Sequence, residues 1–457
     1  MAPSSKLALR RKYDIVLMGA TGYTGALVAE HIATNLPTDL KWAISGTSRS
    51  KLEHSAEKLT KFGDRIQPAI EVVSVEDDVR LASIIGQARV CISAVLYSLA
   101  GEQIVRACVE ERTDYVDCAS TPVIIQAWIR KYHDKAQENK VALIHACGAS
   151  IAPLDLMVWL AAREIDEKWS LKTRDVTLRL DEINTNISGG TLRTIIGHAA
   201  LAPKLIKETQ SPSALCPVTH PGEPYAIAGV HYNPYLGWLA ASSVTADQDR
   251  ALIYRTWGLL LDTDNSYGPS FSFNEYEKAS SILGGVGLFL RSYLIAFVMS
   301  LARIPFLRNL VLSRTPAAGS GPGAETAKSV PVSMEATAVA GERGSLGSKS
   351  PKIAHVKFLY PNGYYPVTAL FMAQAAASLL FKRRLEGNIT GGCLTPAILG
   401  RDFVHRTRPV TVDFMHVLIG DGLEIVAGIT MLMMDAWAFI TWIKRFFEDG
   451  STITERS

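Results

Sequence analysis

One stretch, residues 13–25 (YDIVLMGATGYTG), restricts the fold more than any other. An apolar strand runs into Gly19, Gly22 and Gly25, spaced Gly-x-x-Gly-x-x-Gly. A helical repeat carrying Val28 and Ile32 follows at once. Each glycine answers a separate demand: a tight turn, close approach of the backbone to a pyrophosphate, and close packing of helix on strand. The phosphates then meet unpaired N–H groups and the positive end of a helix dipole. A glycine triplet alone is weak evidence, but between a buried strand and an amphipathic helix it points to dinucleotide binding. Gly19, Ala20, Thr21, Gly22, Tyr23, Thr24 and Gly25 are therefore the expected cofactor loop.

The alternation continues to residue 147. Further strands are expected at 40–46, 70–75, 90–95, 114–117 and 141–145, with helices over 103–111 and 122–139 between them. That order predicts an α/β protein with a doubly wound, Rossmann-type parallel sheet over residues 13–150. Ala94, at the end of the fourth strand, joins the expected cofactor set. With 457 residues the chain has room for a second core. A strand at 176–180, a helix opening at Gly189-Gly190-Thr191 and a Pro-, Gly- and Tyr-rich run at 221–237 suggest an α+β substrate domain over 151–280.

The residue types after the second strand bear on the choice of cofactor. NAD binding uses an acidic residue there for the ribose hydroxyls. Here Ser45, Gly46 and Thr47 supply no acid, and Arg49 and Lys51 follow. Both could donate to a 2′-phosphate, which favours NADP over NAD. The plainer alternative makes Arg49 and Lys51 the solvated start of a helix. The net charge of +3 gives no reason to expect nucleic acid. Six scattered cysteines without a Cys-x-x-Cys pair suit a reducing compartment and suggest no metal. Residues 1–12 form a short basic tail without an apolar core, so no secretory signal is expected.

Two stretches hold the surplus of apolar residues. Residues 282–302 are nearly continuous apart from Arg291, and Arg303, Arg308 and Arg314 follow. An arginine in the middle disfavours a span, so 281–312 reads either as an interfacial helix or hairpin or as a buried core helix. Residues 423–447 form the second stretch, with Asp435 inside it. Between them, 313–352 is rich in Gly, Ala, Ser, Pro and Thr and reads as a flexible linker. Order returns at Tyr364 with a helix over 367–380.

Several of these motifs together resemble the saccharopine dehydrogenase-like oxidoreductases, a family that includes trans-acting enoyl reductases. The cofactor loop, Tyr97 with Gly101-Glu102, Tyr115-Val116-Asp117, and residues 364–380 with Gly391-Gly392-Cys393-Leu394-Thr395-Pro396-Ala397 carry the likeness. It implies that 353–400 returns to the nucleotide domain, and that 401–457 is a divergent apolar tail. The departures lie at the carboxyl ends of the strands. Val95-Leu96-Tyr97 stands for Gly-Pro-Tyr, Ser120-Thr121-Pro122 for Gly-Glu-Pro, and Gly189-Gly190-Thr191 for Asp-Gly-Thr.

The resemblance implies NADPH-dependent reduction of a carbon–carbon double bond in an apolar or thioester-linked substrate. Tyr97 is the candidate proton donor, and Ser120, Thr121, Ser150, Thr191 and Arg193 are the candidate substrate residues. Expected partners are that substrate, a membrane or lipid-droplet surface and a second copy of the chain. The expected location is intracellular, at the endoplasmic reticulum or a lipid droplet. Two rivals stand beside this reading. One is an amino-acid dehydrogenase with Arg193 as carboxylate clamp, and the other is a membrane-bound nucleotide-fold module without catalysis. A hydrolase is disfavoured: residues 148–152 nearly copy a nucleophile elbow but end in Ala152, and no His or acid is placed to serve Ser150.

Overall fold

The computed structural model describes residues 11–181, 187–218, 227–317, 319–341, 352–407 and 415–420. Six strands form in sequence from the N-terminus: β1 (Tyr13–Met18), β2 (Trp42–Gly46), β3 (Ala69–Val72), β4 (Ala88–Ser93), β5 (Asp114–Asp117) and β6 (Ala142–Ile144). β1 is buried almost throughout. It is therefore an unbroken apolar run rather than an alternating one, as expected of a strand covered on both faces. Helices cross between consecutive strands, and every pairing is parallel.

The second sheet begins with β7 (Thr173–Leu180), β8 (Val230–Asn233), β9 (Gly237–Ala240) and β10 (Ser272–Lys278). It then takes β11 (Val332–Ala340) and β12 (Ile353–Tyr360) from much further along the chain. β11 lies between β7 and β12 and is antiparallel to both. This corrects the reading of 313–352 as a flexible linker. Val332, Met334, Ala336 and Ala338 alternate toward the core, and a period of two written in small residues resembles linker composition. The second domain accordingly extends well beyond 151–280.

The chain returns to the first sheet as β13 (Gly392–Leu394), which adds in parallel beside β6. The order there is β13-β6-β5-β4-β1-β2-β3, reversing between β1 and β4, the switch point at which ligands bind. The C-terminal return expected from the resemblance is thus present. A last strand, β14 (Met415–Gly420), pairs with β12 at the edge of the second sheet. The apolar run at 423–447 and the basic residues 1–10 lie outside the described residues.

Among the described residues, two helices are long and apolar enough to cross a membrane, and they behave oppositely. Tyr364–Phe381 is a core helix, 83% buried over its most apolar window. It packs on the Tyr23–Asn35 helix, where the side chains of Gln374 and His31 lie 3.2 Å apart. Burial lowers the His31 imidazole to about 4. Its folded value lies below the unfolded one, so it contributes stability that is full above pH 6.5 and lost as the pH falls toward 4. This group should make urea unfolding about 2 kcal/mol easier at pH 5 than at pH 7. A His31→Gln chain that keeps the same acid slope would contradict that assignment.

Ile282–Leu301 is only 6% buried over its most apolar window. The buried-core reading of this stretch is thereby corrected. Ser281 caps it, accepting the Gly284 N–H at 3.1 Å, and Arg291 pairs with the buried Glu277 of β10. That ion pair fastens one side of the helix to the second sheet. Leu283 (79% exposed), Leu290, Tyr293 and Phe297 face outward. A turn at 302–304 leads to a second helix, Pro305–Arg314, which adds exposed Phe306 and Leu310.

Candidate cofactor and substrate site

A cavity of about 530 Å³ opens at the β1/β4 switch point. The glycine loop forms its floor. Gly19 has φ +79, a left-handed conformation that other residues rarely adopt, and a Cβ there would press on Val95 at 3.0 Å. Gly25 lies so close under the loop that a Cβ would be driven into the Gly19 carbonyl. Gly22 is the N-cap of the Tyr23–Asn35 helix, and the helix has neither a side-chain cap nor an acid in its first turn. Its leading N–H groups are thus left for an anion. Gly19 thus takes the tight turn and Gly25 the close packing of helix on strand.

The strand ends and the second domain supply the walls. Residues 94–97 follow β4, Cys118 and Ser120 follow β5, and residues 148–150 follow β6. From the other side come Ser188, Thr191, Thr194 and Ile195 at the start of the Gly189–Ala199 helix, and Tyr364, Tyr365 and Thr368 from the core helix. Of the residues expected from sequence, Gly19, Thr21, Gly22, Tyr23, Thr24, Lys51, Ala94, Tyr97, Ser120, Ser150 and Thr191 line this cavity.

The others are displaced for local reasons. Ala20 is buried behind the loop, and Gly25 lies under it. Thr121 is buried and hydrogen-bonded to Tyr97. Arg193 is off the lining, because a helix turns about 100° per residue and Thr191 and Thr194 share the cavity face. Arg49 is exposed, 3.8 Å from Glu53. Lys51 instead reaches both the main cavity and an adjoining hollow of about 380 Å³, faced also by His54, Lys58 and Lys61.

Two hydroxyl clusters face the cavity. On the nucleotide side, the Tyr97 and Thr121 oxygens are 2.7 Å apart. Burial pushes the Tyr97 phenol above its ordinary value, partly offset by bonds from Thr121 and Ser120, so it stays protonated at neutral pH. On the other side, the Tyr365 hydroxyl accepts the Ser188 N–H and lies 3.0 Å from the Thr191 hydroxyl. The sequence reading missed Tyr365, Ser188 and Thr194. The adjacent tyrosines opening an alanine-rich helix were visible, but their placement against residue 191 was not.

Among the described residues, the lining of the cavity contains no carboxylate or imidazole, and Lys51 is its single charged side chain. Buried acids nearby serve as braces. Asp117 accepts the Ala119 and Ala146 N–H groups and sits 2.9 Å from His145. Burial alone would lower His145, but the Asp117 charge and hydrogen bond outweigh it and hold the imidazole at about 9. Asp155 binds Thr256 and the Ala397 N–H, and burial raises it to about 7.

Residues 15–144 match the saccharopine dehydrogenase NADP-binding domain family. A Mycobacterium tuberculosis protein, provisionally named a trans-acting enoyl reductase, is 27% identical over 340 residues, 69% of this chain and 78% of that protein. The lipid droplet localized protein of Caenorhabditis elegans is 32% identical over 189 residues, 40% of this chain and 44% of the other. Mouse saccharopine dehydrogenase-like oxidoreductase is 27% identical over 197 residues, 41% and 46%. The chain thus spans under half the length of the nematode and mouse proteins.

Proposed function

We propose that the chain is a saccharopine dehydrogenase-like, NAD(P)-dependent oxidoreductase that reduces a carbon–carbon double bond in an apolar or carrier-linked substrate at a lipid surface. A lining that carries no charge apart from Lys51 among the described residues supports this reading. An amino-acid substrate calls for a clamp on its carboxylate, and Arg193, the residue considered for it, lies off the cavity wall. Hydroxyls and small apolar groups suit an acyl chain with a carbonyl.

The residues present fit NADPH, which supplies the hydride when bound. The first-turn N–H groups after Gly22 would hold the pyrophosphate, and Lys51 with Thr47 would hold the 2′-phosphate. Tyr97 keeps a proton at its Oη, with Ser120 and Thr121 fixing its direction. Thr191 and Tyr365 offer hydroxyls to a substrate carbonyl from the opposite wall. The exposed apolar face of residues 282–310, beside Arg303, Arg308 and Arg314, supports attachment to a lipid surface. The name of the nematode relative is in keeping with that.

Loss of NADPH absorbance on adding enoyl thioesters of increasing chain length tests the proposal. Turnover of enoyl thioesters and none of saccharopine is expected, and saccharopine oxidation alone would sink the proposal. Tyr97→Phe should lower kcat by about 10²–10⁴-fold, the usual worth of a positioned acid, with NADPH affinity held. An unchanged kcat would reduce Tyr97 to a packing residue.

A further inference from the structure

The apolar hairpin is tied directly to the glycine loop. After Arg314 the chain crosses the mouth of the cofactor site as a strap, residues 316–317 and 319–323, before reaching β11. The Tyr23 hydroxyl donates to the Pro322 carbonyl at 2.9 Å, and the Gly189 N–H donates to the Ser320 carbonyl at 3.1 Å. The strap therefore bridges the cofactor loop and the helix that forms the opposite wall. Small residues make this possible: a Cβ on Gly321 would stand 2.5 Å from the Tyr23 ring, and one on Gly189 would press on the Pro316 carbonyl. Gly319 lines the cavity, and a Cβ built on it would lie only 3.7 Å from the Gly22 Cα.

Gly319 carries no such carbon, so its own backbone stands at most about one bond length farther off, roughly 5 Å from the loop. A phosphate lying between the two surfaces needs roughly 3 Å of hydrogen-bonding distance on the loop side alone, plus its own width. The strap and a pyrophosphate therefore compete for the start of the Tyr23–Asn35 helix. The other end of the strap continues into Pro305–Arg314, half of the exposed apolar hairpin, whose Arg303, Arg308 and Arg314 complement anionic headgroups.

Resting on the NADPH reading above, we propose that the strap is an autoinhibitory plug, drawn off the glycine loop when the hairpin docks on an anionic lipid surface. Lipid docking and cofactor binding are then positively coupled, and linkage requires the coupling to be reciprocal. Vesicles tighten NADPH binding, and NADPH tightens vesicle binding by the same factor.

Fluorescence titration of the full chain with NADPH, in buffer and with phosphatidylcholine vesicles containing phosphatidylserine, reads one side. Vesicle sedimentation with and without saturating NADPH reads the other. Both affinities are expected to rise by the same factor, at least about fivefold. Gly189→Ala, which pushes the strap off the far wall, should tighten NADPH binding without vesicles and leave them little to add. If that variant fails to fold, the reciprocity in the unaltered chain decides. NADPH affinity that is unchanged or weakened on bound vesicles overturns the plug and leaves the cofactor reading intact, as does a chain that binds NADPH but not vesicles. No NADPH binding under any condition overturns both.

Discussion

Gly25→Ala is expected to abolish NADPH binding and to lower stability by about 1–3 kcal/mol, the range for a forced backbone shift in a packed interior. The added carbon would be driven into the Gly19 carbonyl oxygen, with the Gly19 carbonyl carbon at 2.9 Å and the Ala20 Cα at 3.0 Å. All three are backbone atoms, so no side chain can swing away. The helix start has to lift from the turn, carrying with it the N–H groups that would bind phosphate. Gly46→Ala is the matched control, since its new carbon meets only Thr21 and Leu52 side chains at 3.5 Å or more. Urea unfolding and NADPH titration of both variants check this. A Gly25→Ala chain that binds NADPH normally would remove the glycine loop from the site.

Arg255→Ala should cost about 2–5 kcal/mol, because buried carbonyls left without their charged donor cost about 1–3 kcal/mol each. Arg255 is fully buried on the Ala246–Leu260 helix. Its Nε donates to the Cys393 carbonyl at 3.0 Å, its Nη1 to the Leu215 carbonyl at 2.6 Å, and its Nη2 sits 3.1 Å from His133 Nδ1. Burial lowers the guanidinium to about 10, so it remains charged at neutral pH. Truncation strands two carbonyls and loosens β13, the strand that returns the chain to the first sheet. Arg255→Lys should rescue little, because an ammonium cannot reproduce the fork. Urea unfolding with hydrogen exchange at residues 392–394 measures both effects. A loss below 1 kcal/mol would contradict this role.

Much of the nucleotide domain was legible because its signals are local. The β1 run, the three glycines and the helix repeat lie within some twenty residues, and each crossover announces itself by a change of period. β11 was hidden because Ala336 and Ala338 fill the core positions of a strand with the residues of a linker. β13 has three residues, too few to show a period. The far wall of the cavity was illegible for another reason. Thr191 and Tyr365 meet across 174 positions of sequence, and no spacing rule reaches that far. Arg49 and Lys51 had the right chemistry two residues apart, and the direction of the helix turn, which decides between them, depends on where Ser48 ends the extended chain.

The most direct test of the account is parallel titration of the full chain with NADPH and NADH, beside Gly22→Asp and Lys51→Glu variants. Tight binding of NADPH over NADH is expected. An aspartate at 22 should abolish both, since its carboxylate would face the pyrophosphate. Lys51→Glu should weaken NADPH by about 10–100-fold, the worth of a charge-assisted contact, and leave NADH nearly unchanged. Equal affinities for the two cofactors, indifferent to Lys51, would contradict the 2′-phosphate site; no binding of either would contradict the oxidoreductase itself.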